Sequence, residues 1–226
     1  MIWLNGEFSS SDAVISANDR GLLLGEAVFE TVLAENGTPA HWDAHMARLW
    51  QACALFGFAT PYDAAGLHTA AVKLLNQNTL TEGRAVIRLT VTGGDGGRGL
   101  VPAEPVAPNW LMQATPAPRP PAHVALCLSA VLQPAGQDLS PVKSTNYAAR
   151  ILARRAAIAK GADDAVLFNQ YMRVAGTTAG NIFALQGGTL ITPATEEGAL
   201  PGITRARILA LSQIEDCAIT TGELTR

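Results

Sequence analysis

Lysine is almost missing from this chain: its 226 residues include only Lys73, Lys143 and Lys160. Charge is sparse altogether, with 15% charged residues and a formal net charge of −3. So little positive charge, with the arginines scattered, argues against nucleic acid or an anionic membrane surface as the main partner. Cysteine is scarce too. Cys53, Cys127 and Cys217 are far apart and odd in number. They offer neither a disulfide framework nor zinc-ligand spacing, so no metal site is expected, and they read as reduced core residues of a cytoplasmic protein. No stretch approaches the roughly 18 uninterrupted apolar residues of a membrane span. The opening Met1-Ile2-Trp3-Leu4-Asn5-Gly6 lacks the charged segment and apolar run of an export signal. Apolar residues are what the chain has in quantity: at 48% hydrophobic over 226 residues it can bury one large core or two smaller ones.

The densest proline cluster, Ala114-Thr115-Pro116-Ala117-Pro118-Arg119-Pro120-Pro121, divides the sequence. A run of this kind neither continues a helix nor sits inside a sheet, so it predicts a linker over 116–122 between an N-terminal domain, 1–115, and a C-terminal domain, 123–226. In the first half, Asn5-Gly6 and Asn36-Gly37 are hairpin turn signals, and Val28 to Ala34 reads as a strand. Asp43 is the expected N-cap of a helix whose apolar stripe is Met46, Leu49, Trp50, Cys53 and Phe56, with Gly57 ending it. Arg48 lies off that stripe. A second helix is expected over Ala64 to Asn76. Arg84 to Thr92 alternates as a strand, with Ile87, Leu89 and Val91 on one face and Val86, Arg88 and Thr90 on the other. In the second half, strands are expected over Val124 to Leu132 and Ala165 to Phe168, and a helix from Asn146 to about Lys160. A hairpin turns about Gly187-Gly188 between Asn181 to Gln186 and Thr189 to Thr192, and a last helix covers Ile203 to Ile214. This mixture defines a mixed α/β (α+β) fold.

Two places combine residue types that chemistry uses. Lys143, in Ser140-Pro141-Val142-Lys143-Ser144-Thr145-Asn146-Tyr147, stands where a strand hands over to a helix. A desolvated lysine there is an amine nucleophile for a carbonyl, pyridoxal phosphate being the commonest such partner; the plainer reading is a helix-start lysine facing water. Pro201-Gly202-Ile203-Thr204-Arg205 opens a helix with a glycine followed by a hydroxyl residue. Outward N–H groups, the helix dipole and the small glycine suit a phosphate, although the same pattern serves ordinary capping.

The ordered set of motifs resembles the fold-type IV pyridoxal-phosphate enzymes, the class IV aminotransferase group that includes branched-chain and D-amino-acid aminotransferases and 4-amino-4-deoxychorismate lyase. It comprises Asn18-Asp19-Arg20-Gly21-Leu22, Gly25-Glu26-Ala27-Val28-Phe29-Glu30-Thr31, His45-Met46-Ala47-Arg48-Leu49, Gly97-Arg98-Gly99, Lys143 to Tyr147, Asn181-Ile182-Phe183 and Gly202 to Arg205. The resemblance implies a two-domain fold, with a smaller N-terminal α/β domain and a larger C-terminal domain with a barrel-like β core. It implies a homodimer, and pyridoxal 5'-phosphate held by Lys143 as an aldimine, with the same lysine moving the proton at the substrate Cα. Arg48 would clamp the cofactor phosphate, Gly202, Ile203 and Thr204 would complete its cup, and Tyr147 would hydrogen-bond the phenolic oxygen. On the substrate side, Arg98 in its glycine-rich loop would bind a carboxylate and Phe29 would line the pocket.

Three departures stand out. Where the family usually carries the glutamate that keeps the pyridine nitrogen protonated, this chain has Gly176, leaving Thr177 or Thr178 to offer a neutral hydrogen bond. Gly93 stands where relatives often have an arginine. The family also usually continues beyond Thr225-Arg226, which implies that a last element and a further phosphate contact lie outside this sequence. The leading expectation is transfer of the amino group of a small α-amino acid to a 2-oxo acid. The alternatives are elimination of pyruvate from 4-amino-4-deoxychorismate, favoured by Gly96-Gly97-Arg98-Gly99, and a cofactor-binding relative without turnover.

Overall fold

The computed structural model describes residues 1–12, 14–97, 99–102, 106–137 and 139–225. Arg98, the expected substrate arginine, lies outside the described residues. The chain forms two compact units, Met1–Pro120 with Lys143–Thr145, and Pro121–Val142 with Asn146–Arg226. Each unit is built around its own sheets. The first holds a six-stranded sheet and two long helices.

In the first unit the strands are β1 (Ile2–Leu4), β2 (Glu7–Ser9), β3 (Ala27–Glu35), β4 (Thr38–Pro39), β5 (Arg84–Thr92) and β6 (Asn109–Pro116). They run antiparallel in the order β2-β1-β6-β5-β3-β4. The alternation read from Arg84 to Thr92 is realised: Ala85, Ile87, Leu89 and Val91 are buried and Val86, Arg88 and Thr90 half-buried. The short helix α1 (Arg20–Leu24) precedes β3, and α2 (Trp42–Phe56) and α3 (Ala64–Gln77) follow β4. Helix α2 buries Met46, Leu49 and Cys53 from the expected stripe, with Trp42, His45 and Ala52 added. It starts two residues earlier than expected. Its N-cap is His41, in a left-handed conformation, and Asp43 sits in the first turn, where its charge favours the positive end of the helix. Burial of Trp42, whose Nε1 donates to the Ala64 carbonyl at 2.9 Å, draws that residue into the helix.

The proline cluster is only partly a linker, because β6 runs through Ala114, Thr115 and Pro116, paired with Ile87, Val86 and Ala85. The sheet admits Pro116 for a geometric reason. Ala117 N–H donates to the Arg84 carbonyl, so the neighbouring Ala85–Pro116 pair falls at a position where no N–H is needed toward β5. On its other side β6 pairs with β1 only at Leu111 and Met112.

In the second unit β7 (Leu126–Leu132), β8 (Asp164–Phe168) and β9 (Val174–Thr177) make one sheet, with β7 and β8 parallel. Helix α4 (Ala148–Ala159) is the crossover that a parallel pair requires, and it buries Ala153 and Ala157 on Ala165 and Leu167. Strands β10 (Ala184–Gln186), β11 (Thr189–Thr192), β12 (Gln213–Ile214) and β13 (Cys217–Thr221) make a second sheet in the order β10-β11-β13-β12. Val166, Phe168, Val174 and Leu224 form a core on which Ile182, Ala184 and Ile191 pack, joining the two sheets. Helix α5 spans Ile203–Ala210 and stops short of the expected Ile214. Ser212 is left-handed, and Gln213 and Ile214 turn back to pair with Ala218 and Cys217. Among the described residues no helix is long and apolar enough to cross a membrane.

Close approach at the end of β5 is tightest at Gly94, where φ is +66° and an added Cβ would lie 2.0 Å from the Ala107 carbonyl oxygen. Gly83, at φ +70° with nothing within 4 Å of that position, tests strain alone. In urea unfolding followed by tryptophan fluorescence, Gly94→Ala should cost more than about 2 kcal/mol and Gly83→Ala about 1 kcal/mol. Equal losses would show that the Ala107 contact is unimportant.

Candidate active site

Lys143 owes its position to β3. Phe29 N–H donates to the Lys143 carbonyl and Thr145 N–H to the Ala27 carbonyl, each at 2.9 Å, and Val28 and Ser144 form an antiparallel bridge. The three residues Lys143 to Thr145 thus complete the first half of β3 as a short extra strand, where β4 covers only the far end at Ala34 and Glu35. The consequence is chemical. The Lys143 ammonium stands 4.3 Å from the centre of the Phe29 ring, which is buried, so the amine faces an aromatic surface instead of open water. The plainer sequence reading, a helix-start lysine in solvent, is set aside: Lys143 is half-buried and lies before α4 in a sheet bridge.

A second cation shares the ring. The Arg88 guanidinium lies 3.7 Å from the Phe29 centre, carried there from β5 by the face that alternation turns away from Ile87 and Leu89. Sequence reasoning put Arg88 on that face without giving it a role. The signal available was a charged residue on the half-buried face of a central strand, directly beside the strand that carries Phe29.

Arg48 meets a buried carboxylate. Its Nε donates to Glu30 Oε1 and its Nη2 to Glu30 Oε2, both at 2.7 Å, and His45 Nδ1 lies 2.7 Å from Oε2. Glu30 is 1% exposed, so this fork fixes the plane of the guanidinium. Burial pushes the Glu30 carboxyl up, but the hydrogen bonds from Arg48 and then His45, with their charges, outweigh it and hold it below the ordinary glutamate value. Another buried arginine organises the loop after β5. Arg20 donates to the carbonyls of Gly99 at 2.8 Å and Leu100 at 3.0 Å and pairs with Glu26. Asp19 accepts from Thr92, Asn109 and the Gly21 N–H. A side chain at Gly93 would meet Glu26 and Arg20 at 3.0 to 3.2 Å, so the departure at Gly93 leaves that pair undisturbed.

The second unit has its own recess, about 360 Å³ including its open mouth, lined by Gln133, Tyr147, Arg150, Gly176, Thr177 and Asn181 among others. It gathers Tyr147 and Thr177 from the expected set. Thr178 is not part of it: its hydroxyl is buried against Asp164 Oδ1 at 2.5 Å. The Thr177 hydroxyl is engaged in its own turn, donating to the Gly180 carbonyl and accepting from the Gly180 N–H. Gly176 has φ +152°, a conformation that L side chains rarely adopt, so the backbone here is fitted to the glycine. Arg150, unremarked in the sequence, enters the recess one turn beyond Tyr147, fixed by the Thr178 carbonyl at 3.2 Å and Gln133 Oε1 at 2.9 Å.

Next to the recess, Gly202 is the N-cap of α5 without a side-chain cap, and Ile203 and Thr204 are its first residues. A Cβ at Gly202 would lie 2.0 Å from Asn181 Oδ1, while Asn181 Nδ2 donates to the Leu200 carbonyl, itself part of the lining. A helix start stripped of side-chain caps, beside a recess walled by a tyrosine and an arginine, fits a ligand with a phosphate and an aromatic ring.

Comparison with known proteins agrees. The family described as amino-transferase class IV matches residues 27–226. A putative branched-chain-amino-acid aminotransferase of Methanocaldococcus jannaschii is 32% identical over 99% of this chain and 78% of its own length. An aminodeoxychorismate lyase of Bacillus subtilis is 26% identical over 98% of this chain and 77% of its own. The crystal structure of the branched-chain amino acid aminotransferase of Escherichia coli superposes with a TM-score of 0.91 at 25% identity, covering all of this chain and 78% of that one. The chain therefore belongs to the class IV aminotransferases, and its mixed α/β architecture is that of the fold-type IV enzymes. The family implies pyridoxal phosphate as cofactor.

Because the folded-state carboxyl of Glu30 titrates below its ordinary value, its stabilising contribution is present above that value and is lost as pH falls through the folded one. Glu30→Gln should lose about 3 kcal/mol near neutral pH, because Arg48 is left without its buried partner. It should also flatten the acid limb of a stability–pH curve measured by urea midpoints. Parallel curves for the two proteins would assign the acid sensitivity elsewhere.

Proposed function

We propose that this chain is a pyridoxal 5'-phosphate-dependent aminotransferase moving the amino group of a small α-amino acid to a 2-oxo acid. The observation that carries this is the pair of cations on one buried ring: the Lys143 amine at 4.3 Å and the Arg88 guanidinium at 3.7 Å from the Phe29 centre. When bound, the cofactor supplies an aldehyde for amine exchange and a ring that draws electrons from the substrate Cα. Lys143 would hold the cofactor through its amine and would take and return the Cα proton of the bound substrate. Arg88 offers a fork to a substrate carboxylate, joined by Arg98, and Phe29 is the apolar wall between amine and guanidinium. Arg48, its orientation fixed by Glu30, takes phosphate oxygens. In the second unit Gly202, Ile203 and Thr204 present N–H groups to the phosphate, and Tyr147 donates to the cofactor's phenolic oxygen.

A second reading is 4-amino-4-deoxychorismate lyase, eliminating pyruvate to give 4-aminobenzoate. Its support is Gly96-Gly97-Arg98-Gly99 together with the Bacillus subtilis relative. A third is a cofactor-binding relative without turnover, supported by Gly176. A homodimer in the cytoplasm is part of the proposal. Exposed Leu22, Leu23 and Leu24, with Leu100 and Val101 exposed after the loop that Arg20 holds, provide apolar surface for a second copy.

Purified protein is assayed for amino transfer from small amino acids to 2-oxo acids, and in parallel for release of pyruvate and 4-aminobenzoate from aminodeoxychorismate. Transfer is expected. Lyase activity alone would replace the first reading with the second, and bound cofactor with neither activity would leave the third. Lys143→Ala should abolish turnover and the covalent cofactor absorbance together. Arg88→Leu should raise KM for a carboxylate substrate by about ten- to hundredfold, the worth of a charged hydrogen bond; an unchanged KM would remove Arg88 from the substrate site.

A further inference from the structure

The recess of the second unit offers hydrogen-bond donors and no carboxylate. Among its lining residues, Arg150 alone carries a charge. Thr177 is engaged with Gly180, Thr178 is turned to Asp164, and Gly176 has no side chain. Asp164, to which Thr178 donates, is also paired with Arg154 at 3.0 Å. Arg150 has five N–H donors; the Thr178 carbonyl and Gln133 fix the plane of its guanidinium, which lies 5.4 Å from the Tyr147 ring.

We propose that Arg150 is the partner of the cofactor's ring nitrogen in this chain, donating an N–H to it and holding it unprotonated. This rests on the cofactor reading above. A guanidinium does not give up its proton in a protein, so it meets an acceptor and not a second donor. A pyridinium N–H turned toward it would set two positive charges and two donors against each other in a half-buried recess with no counter-charge among its lining residues, which disfavours the protonated ring. Where a carboxylate would favour the pyridinium, the Arg150 guanidinium favours the neutral pyridine. The hydrogen stays on Arg150, and the ring withdraws electrons less strongly from the bound substrate. Gly176 and Arg150 then form one arrangement: the glycine brings only backbone to the recess, and the arginine supplies its charge.

The test uses this 226-residue chain loaded with pyridoxal phosphate labelled with 15N in the ring, read by the nitrogen chemical shift between about pH 5 and 9, so that protonation favoured or disfavoured by the site falls inside the window. The wild type should show the unprotonated shift throughout. Arg150→Gln should restore a titrating nitrogen whose protonated form dominates at the acid end, and Arg150→Lys, which keeps a cation, should stay closer to the wild type. A pyridinium shift in the wild type at neutral pH would overturn the proposal while leaving the cofactor reading intact; so would an Arg150→Gln spectrum indistinguishable from an unprotonated wild type. If the loaded protein cannot be formed, the cofactor reading fails and this inference fails with it. Should Arg150→Gln not fold, the wild-type spectrum and the Arg150→Lys spectrum still decide.

Discussion

The short bridge between Lys143–Thr145 and the start of β3 is the constraint on which the placement of Lys143 depends. Two backbone hydrogen bonds, from Phe29 to Lys143 and from Thr145 to Ala27, place an otherwise surface-type residue over a buried aromatic ring. A lysine side chain has four rotatable bonds and strong hydration, so local sequence alone could not hold it there. The sheet does this by lending an unpaired stretch of strand edge. The same strand carries Phe29 under the amine and Glu30 on its other face, so β3 supports both Lys143 and the anchored Arg48.

Charge is rare in this chain, and a notable part of it is spent inside. Arg20, Glu30 and Arg205 are each under a tenth exposed, and each has a fixed polar partner. The Arg20 network ties the segment after Arg98 to α1 and β5, and the Glu30 network fixes Arg48. Both act as rigid supports with their donors and acceptors matched, which is the condition under which buried charge is tolerated. Arg20 and Arg48 thus serve orientation.

The second unit solves a different problem. Its recess lies at the end of β9, walled by a glycine-bearing strand and a tight turn at Thr177–Gly180, and α5 begins beside it without side-chain caps. Gly176 has a backbone conformation suited to glycine, and Arg150 stands in the same cavity. Among the residues lining the recess, Arg150 is the one that carries a charge.

Much of this was legible in the sequence. Period-two alternation fixed the faces of β5, helical spacing fixed the buried stripe of α2, and a glycine before a helix marked the start of α5. The ordered motifs identified the family, because motif order survives where pairwise identity has fallen low. Lys143 was singled out by rarity and by its strand-to-helix position. What tertiary structure decided were the meetings of residues distant in sequence. Arg88 and Lys143 reach the same ring from separate segments, Glu30 claims Arg48 across a strand and a helix, and Arg150 enters the recess of Gly176. Periodicity states which face of its own element a side chain occupies. The residue opposite is chosen by sheet register and backbone bridges, as with Pro116, which could belong to a strand only because its missing N–H fell on an unpaired position.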